Sequence, residues 1–199
     1  MIDIELGLSR DGLHFHRPFR ETLFLPRSPN PLSFDSGCIL TNASPVFLPE
    51  EIRFYYGGYD QGATGADDTK LISGIGLATL PRGRFAGISP VEHSNQQTLL
   101  APVEHIGQIT LKPLDFSQVT AIALNADARQ GHIRVEVLTD RGFRIKGFTK
   151  EDAQPITGDA LDHRVAWRQK TLADAGEGMF ILRIHLDRAT IYAVDLLNN

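Results

Sequence analysis

Apolar residues alternate with polar ones along this chain in short runs broken by Gly, Pro, Asp and Asn, and no window of about twelve residues holds a helical period. The pattern predicts strands and turns throughout. A strand-turn-strand signal stands at Ile4-Glu5-Leu6-Gly7-Leu8-Ser9-Arg10-Asp11-Gly12-Leu13-His14-Phe15, where alternation leads into Asp-Gly, a dipeptide that tolerates the positive φ of a tight turn. A second copy runs from Gly76-Leu77 to Phe85, offset from the first by 69 to 70 residues, which predicts a repeated supersecondary unit. Between the copies, residues 37–48 and 52–59 read as two strands joined through Pro49-Glu50-Glu51. With the Gly76 hairpin these make four antiparallel strands, one propeller blade, and the Gly7 hairpin becomes the outer half of the preceding blade. Residues 61–70 are expected as a loop at the blade rim, and residues 26–36 are too rich in proline to pair.

A polar run at residues 90–98 reads as a linker and sets the expected boundary, a blade-like unit over residues 1–95 and a second β unit over residues 96–199. In the second, short strands are expected at residues 109–114, 121–126, 133–138, 143–145, 165–167, 179–186 and 191–196. Seven such strands fit an antiparallel, jelly-roll-like β-sandwich. Alternation puts Ile133, Val135 and Val137 on one face, and Phe180, Leu182, Ile184 and Leu186 on one face opposite Arg183 and His185. Trp167 is expected as a core anchor. Thr149, with Asp152 three residues on, suggests a single helical turn. The fold class is therefore all-β: about one and a half propeller blades followed by a sandwich.

Composition narrows the function. The 199 residues carry a net charge of -4 without clustered Lys or Arg, which argues against a nucleic-acid partner. No stretch of about 18 apolar residues predicts a membrane span. Residues 1–10 carry Asp3 and Glu5 and no apolar signal core, so no signal peptide is expected and the location reads as cytoplasmic or is left open. The single cysteine, Cys38, excludes an internal disulfide, and without a base nearby in sequence it reads as a buried thiol. The motifs of serine hydrolases, P-loop proteins and zinc proteases are absent.

Among residues that could carry chemistry, Asp35 precedes the innermost expected strand, whose start faces a propeller's axis. It reads either as a contact to a sugar hydroxyl or water, or as a loop cap bonding the backbone at Gly37. Tyr55, Tyr56 and Tyr59, with Gly57-Gly58, form the densest aromatic patch, and flat rings with hydroxyls suit sugar faces. Alternation puts Tyr55 and Tyr59 on one face and Tyr56 on the other. His14 and His16 make a metal half-site without a third ligand, and Asp115, Asp127, Asp187 and Asp195 read as turn formers rather than a calcium site. No metal and no cofactor are expected. Asn42-Ala43-Ser44 is a glycosylation sequon inside an expected strand.

Taken together, Ser9-Arg10-Asp11-Gly12-Leu13-His14-Phe15, Phe34-Asp35-Ser36-Gly37, Phe54-Tyr55-Tyr56-Gly57-Gly58-Tyr59 and Ile75-Gly76-Leu77-Ala78-Thr79 resemble the last part of five-bladed β-propeller glycoside hydrolases of the invertase and arabinanase-like clan. The run from His132 to Leu138, Gly147-Phe148 and Gly158-Asp159 resemble the sandwich that follows the propeller in that group. The resemblance implies hydrolysis or binding of glycosidic bonds in a plant or microbial polysaccharide. From the family only Asp35 carries over, as an axis-facing carboxylate taken as the catalytic candidate; Tyr55, Tyr59, Asp60 and Arg10 are expected as substrate contacts. The clan's Asn-Asp-Pro, Arg-Asp-Pro and Glu-Cys motifs are absent, and a second carboxylate would come from Glu50, Glu51 or Asp60. The alternatives are a non-catalytic carbohydrate-binding module or a structural β-sandwich module, with a fragment of a longer glycosidase as a further reading. One and a half blades cannot close a ring, so self-association through exposed strand edges is expected.

Overall fold

The computed structural model describes residues 1–62, 70–91 and 105–198. These residues form strands and turns, with one 3-10 turn at Leu172–Ala175, so the chain is all-β as its alternation predicts. They divide into two compact units, Met1–Arg82 and Gly83–Asn199. The boundary expected at residues 95/96 lies outside the described residues. Residues 83–91 belong to the second unit, where Arg84 bonds Asn125 and Asp159 and Ile88 bridges Ile191.

The first unit holds one antiparallel sheet of β1 (Cys38–Thr41), β2 (Val46–Phe47), β3 (Glu51–Tyr59) and β4 (Ser73–Pro81). Its centre is β3. β4 lines one side from Glu51 opposite Pro81 to Tyr59 opposite Ser73, while β1 and β2 share the other side. The single strand expected over residues 37–48 is thus two, interrupted at residues 42–45, where Pro45 has no N–H to offer a ladder. The sequon Asn42-Ala43-Ser44 falls in this exposed break and not inside a strand.

The two sequence copies fold differently. Around Gly76 there is no hairpin: the copy supplies one strand, β4, paired with β3 along its whole length, and Phe85 falls in the second unit. Around Gly7 the hairpin is a wide loop closed by Leu8 and His16, which exchange two 2.8 Å backbone bonds. Inside it the Ser9 hydroxyl and the Asp11 carboxylate accept from the amides of Gly12, Leu13 and His14, and Gly12 takes a positive φ of 74°. A nine-residue partner strand outweighs a shared local motif.

The second unit is one curled half-barrel sheet of β5 (Ile106–Thr110), β6 (Leu114–Asp115), β7 (Val119–Thr139), β8 (Ile156–Arg164), β9 (Met179–Asp187) and β10 (Thr190–Asn198). The strands expected at 121–126 and 133–138 are halves of β7, which pairs β10 through its first half and β9 through its second. The strand expected at 109–114 is β5 and β6, separated at Pro113. The strands expected at 143–145 and 165–167 are only single bridges, Arg144 to Leu138 and Trp167 to Ala153. Thr149 and Asp152 do form the expected turn, with Thr149 N–H and Oγ1 both donating to Asp152 Oδ2.

The core residues read from alternation are those buried: Ile133, Val135, Val137, Leu182, Ile184 and Leu186, with Phe180 beside them. In β7 the buried set runs Ile122, Leu124, Ala126, Ala128 and then Ile133, Val135, Val137, a change of parity made at the register shift between Ala128 and Ile133. There a Cβ on Gly131 would collide with the Asp187 carbonyl, so only glycine lets the two backbones approach. Trp167 anchors the core by donating its indole N–H to the Val135 carbonyl at 3.0 Å and meeting Phe148 edge-on at 5.0 Å.

Trp167 is the sole tryptophan, so its emission reports the second unit. We expect Ile184→Ala, which empties a fully buried site, to lower urea stability by about 2 to 5 kcal/mol on that signal. A loss below about 1 kcal/mol would mean that this face is not the core.

Candidate functional site

Successive residues of β3 point to opposite faces of the sheet, and its pairing with β1 and β4 runs without a bulge. Phe54, Tyr56 and Gly58 therefore share one face, and Arg53, Tyr55, Gly57 and Tyr59 the other. Asp35 lies on the first face. Its Oδ2 accepts from the Tyr56 hydroxyl at 2.9 Å and its Oδ1 from the Ser33 hydroxyl, while the Phe34 ring stacks on Tyr56 at 6.4 Å between centroids.

Three glycines make room for this arrangement. A Cβ on Gly58 would stand 2.6 Å from the Asp35 Cβ and 2.7 Å from the Phe34 ring, and one on Gly74 2.9 Å from that ring. A Cβ on Gly76 would collide with the Tyr56 ring. The loop carrying Asp35 is tied down by Arg27, which donates to Asp3 Oδ1 and to the Ser36 carbonyl, and by Gly37 N–H bonding the Tyr59 carbonyl. The loop-cap reading of Asp35 through the Gly37 backbone is replaced by these side-chain bonds.

The electrostatics follow from the partners. The Ser33 hydroxyl, and then the Tyr56 hydroxyl, hold the Asp35 carboxyl below the usual carboxylate range against the opposing effect of burial. Burial and the Asp35 charge push the Tyr56 phenol up. Asp35 is thus ionised at neutral pH and is not poised to donate a proton as a general acid.

The expected site residues converge only in part: Asp60 runs beside the Asp35 loop, where Ser36 Oγ donates to its carbonyl at 3.5 Å, and the others lie elsewhere. Tyr55 and Tyr59 lie on the face opposite Asp35, and Tyr56, the ring assigned to the other side, is its partner. Asp60 closes the start of the following loop: its N–H donates to the Ile72 carbonyl and its Oδ1 accepts from the Ile72 N–H. Arg10 is exposed in the loop that Leu8 and His16 close. Glu51 pairs with Arg53 at 2.6 Å at the opposite end of β3 from Gly58, about 20 Å away at the rise of a strand. That separation exceeds the roughly 5 to 9.5 Å that two glycosidase carboxyl groups span.

The face carrying Tyr55 is open. Tyr55 is 38% exposed and the facing Leu77 49%, next to the Arg53–Glu51 ion pair, while Leu40 at 52% and Ile75 at 83% flank Gly57 farther along β3. Neighbouring chemistry is dispersed. The imidazole of His14 bonds the Asp11 carboxylate in the same loop, and Asp115, Asp127 and Asp187 are engaged by Ser117, Arg129 and Arg188. Among the described residues no three His, Cys, Asp or Glu side chains converge to hold a metal ion.

Sequence reading missed one polar centre. Glu136, on β7, is fully buried, with Oε1 3.0 Å from Arg144 Nε and Oε2 3.4 Å from His185 Nε2 and 3.7 Å from Arg183 Nη1. Arg144 lies off the hydrogen-bonding direction, so Oε1 is held by charge rather than by an aligned bond. Burial pushes the His185 imidazole below its ordinary value, against the pull of Glu136. The signal was present as polar residues alternating with core residues on β7 and β9, but the pairing of strands 49 residues apart was not.

No family model matches this chain, and comparisons with curated proteins and with solved structures returned no match.

Because the folded-state pKa of Asp35 is lowered, its contribution to stability is present above the unfolded value near 3.9 and is lost as pH falls through the folded one. We expect Tyr56→Phe to weaken the protection of β3 amides from hydrogen exchange by about 1 kcal/mol at pH 7. The gap should shrink below about pH 4 as Asp35 protonates. A gap independent of pH would show that the bond to ionised Asp35 contributes nothing.

Proposed function

We propose that this protein binds a saccharide without cleaving it, through the β3–β4 face that carries Tyr55 and Tyr59. The choice of ligand class rests on the resemblance to propeller glycoside hydrolases. The choice of binding over hydrolysis rests on one observation: the β3 pleat puts Asp35 on the face opposite those tyrosines. Asp35 is engaged by Ser33 and Tyr56, Glu51 lies at the far end of β3 beyond a glycosidase spacing, and Asp60 Oδ1 is taken up by the Ile72 N–H.

The opposite face has what saccharide binding uses. An exposed phenol offers a flat apolar surface with a polar edge, and the adjacent Arg53–Glu51 pair offers donors and acceptors to hydroxyls. Because β4 pairs β3 along its whole length, and β1 and β2 pair it on the other side except at the break opposite Phe54 and Tyr55, this surface is largely rigid before the ligand arrives, which limits the entropy lost on binding. The outer edge of β4 has no strand partner among the described residues, and we assign self-association to that edge.

The test is a panel of arabinan, fructan, xylan and β-glucan assayed for both binding and sugar release. We expect binding to at least one, weakened about tenfold or more by Tyr55→Ala, a loss of about 1.4 kcal/mol, and unchanged by Asp35→Asn. Sugar release that falls about a hundredfold in Asp35→Asn would overturn the proposal in favour of hydrolysis. Neither binding nor release across the panel would favour the structural module.

A further inference from the structure

The second unit contains a cavity of about 390 Å³ that the saccharide face does not involve. It opens where the long β7–β9–β10 ribbon breaks. On β7 the register shifts between Ala128 and Ile133; on the other strand the ladder stops at Asp187 and resumes at Thr190. The close approach of Gly131 to the Asp187 carbonyl sets the bend, and the residues between the two ladders are left outside regular pairing. Their backbone groups and side chains are turned to other uses.

Gln130, Arg188 and Thr190 from this break line the cavity with Ser89 and His105. Every one of these carries a hydrogen-bond donor, one is a permanent cation, and among the described residues no carboxylate lines the space. Arg188 donates its Nε to Asp187 Oδ1 at 3.1 Å, which orients the guanidinium and leaves its two terminal nitrogens for a ligand.

The backbone carries a second, independent mark. The only described non-glycine residues with positive φ are His105, at 63°, and Arg188, at 43°; they are bonded to each other by Arg188 N–H to the His105 carbonyl at 2.9 Å. Both line this cavity. Positive φ is uncommon at a non-glycine residue, and at Arg188 it falls in the two-residue turn between β9 and β10, which carries the side chain at the cavity.

We propose that this cavity binds a small molecule bearing one oxyanion group, a sugar acid or a sugar phosphate, with the Arg188 guanidinium on the oxyanion and Gln130, Ser89 and Thr190 on its hydroxyls. The volume is in the range that encloses a monosaccharide-sized ligand. Carboxylate and phosphate each offer two acceptor oxygens to the planar guanidinium fork, so the two sources are separated by experiment.

Titration of the full chain with galacturonate, glucose 6-phosphate, inorganic phosphate and glucose tests this, read by two-dimensional NMR of backbone amides. We expect one of the two sugar anions to shift the amides of Gln130, Gly131, Arg188 and Thr190, and glucose to leave them unmoved. Arg188→Asn, a residue that tolerates left-handed backbone, should weaken that binding about tenfold or more, and Gln130→Ala less. Tyr55→Ala should leave it intact, which separates this site from the saccharide face. Shifts by inorganic phosphate alone, no shift by either sugar anion, or equal affinity in a folded Arg188→Asn protein would each overturn the proposal. If Arg188→Asn does not fold, the wild-type shifts and their weakening in Gln130→Ala decide between the same outcomes.

Discussion

The pleat of a β-strand sends neighbouring side chains to opposite faces, and both units of this protein are organised around that constraint. In the first unit it divides β3 into a face shared by Phe54, Tyr56 and Gly58 and a face shared by Arg53, Tyr55 and Tyr59. An aspartate that packs on the first face cannot serve a ligand lying on the second. In the second unit the same constraint would send half of β7 the wrong way, because its apolar residues change parity midway. The register shift between Ala128 and Ile133 corrects the parity, so Ile122 and Leu124 share one core with Val135 and Val137.

Glycine permits both solutions where two groups come too close for a Cβ. Gly58, Gly74 and Gly76 lower the surface of the first sheet so that Phe34, Asp35 and Tyr56 settle on it, and Gly131 lets β7 meet the Asp187 carbonyl. Stability in the second unit comes from the buried apolar face, closed by Trp167 on Phe148 and on the Val135 carbonyl. Glu136 lies buried behind that face among Arg144, Arg183 and His185, with Oε1 outside any aligned hydrogen bond, so the cluster is a weak source of stability beside the apolar core.

The two candidate binding regions are built in contrasting ways. The β3–β4 face proposed for a saccharide is an unbroken two-strand ladder with Tyr55 exposed on it, where regular pairing supplies rigidity. The cavity lies at an interruption of a ladder, where irregular backbone supplies donors and direction. Regular sheet is suited to a broad, flat ligand, and a broken one to a small ligand surrounded on several sides.

By itself the sequence determined what depends on near neighbours. Period-two alternation decided the all-β class and named Val135, Val137, Leu182, Ile184 and Leu186 as core; it also separated Tyr55 and Tyr59 from Tyr56. Thr149 with Asp152 marked a turn that forms, because its bonds close within three residues. Tertiary structure alone decided which strands pair. Gly7-Leu8 and Gly76-Leu77 share a motif, yet only the second finds a nine-residue partner. It also decided the company of Asp35: Tyr56 is 21 residues away, and the space they share is cleared by glycines of two different strands. Glu136 with His185, and His105 with Arg188, meet across still longer separations. Alternation assigns a side chain to a face of its own strand, and only pairing between strands decides what it meets there.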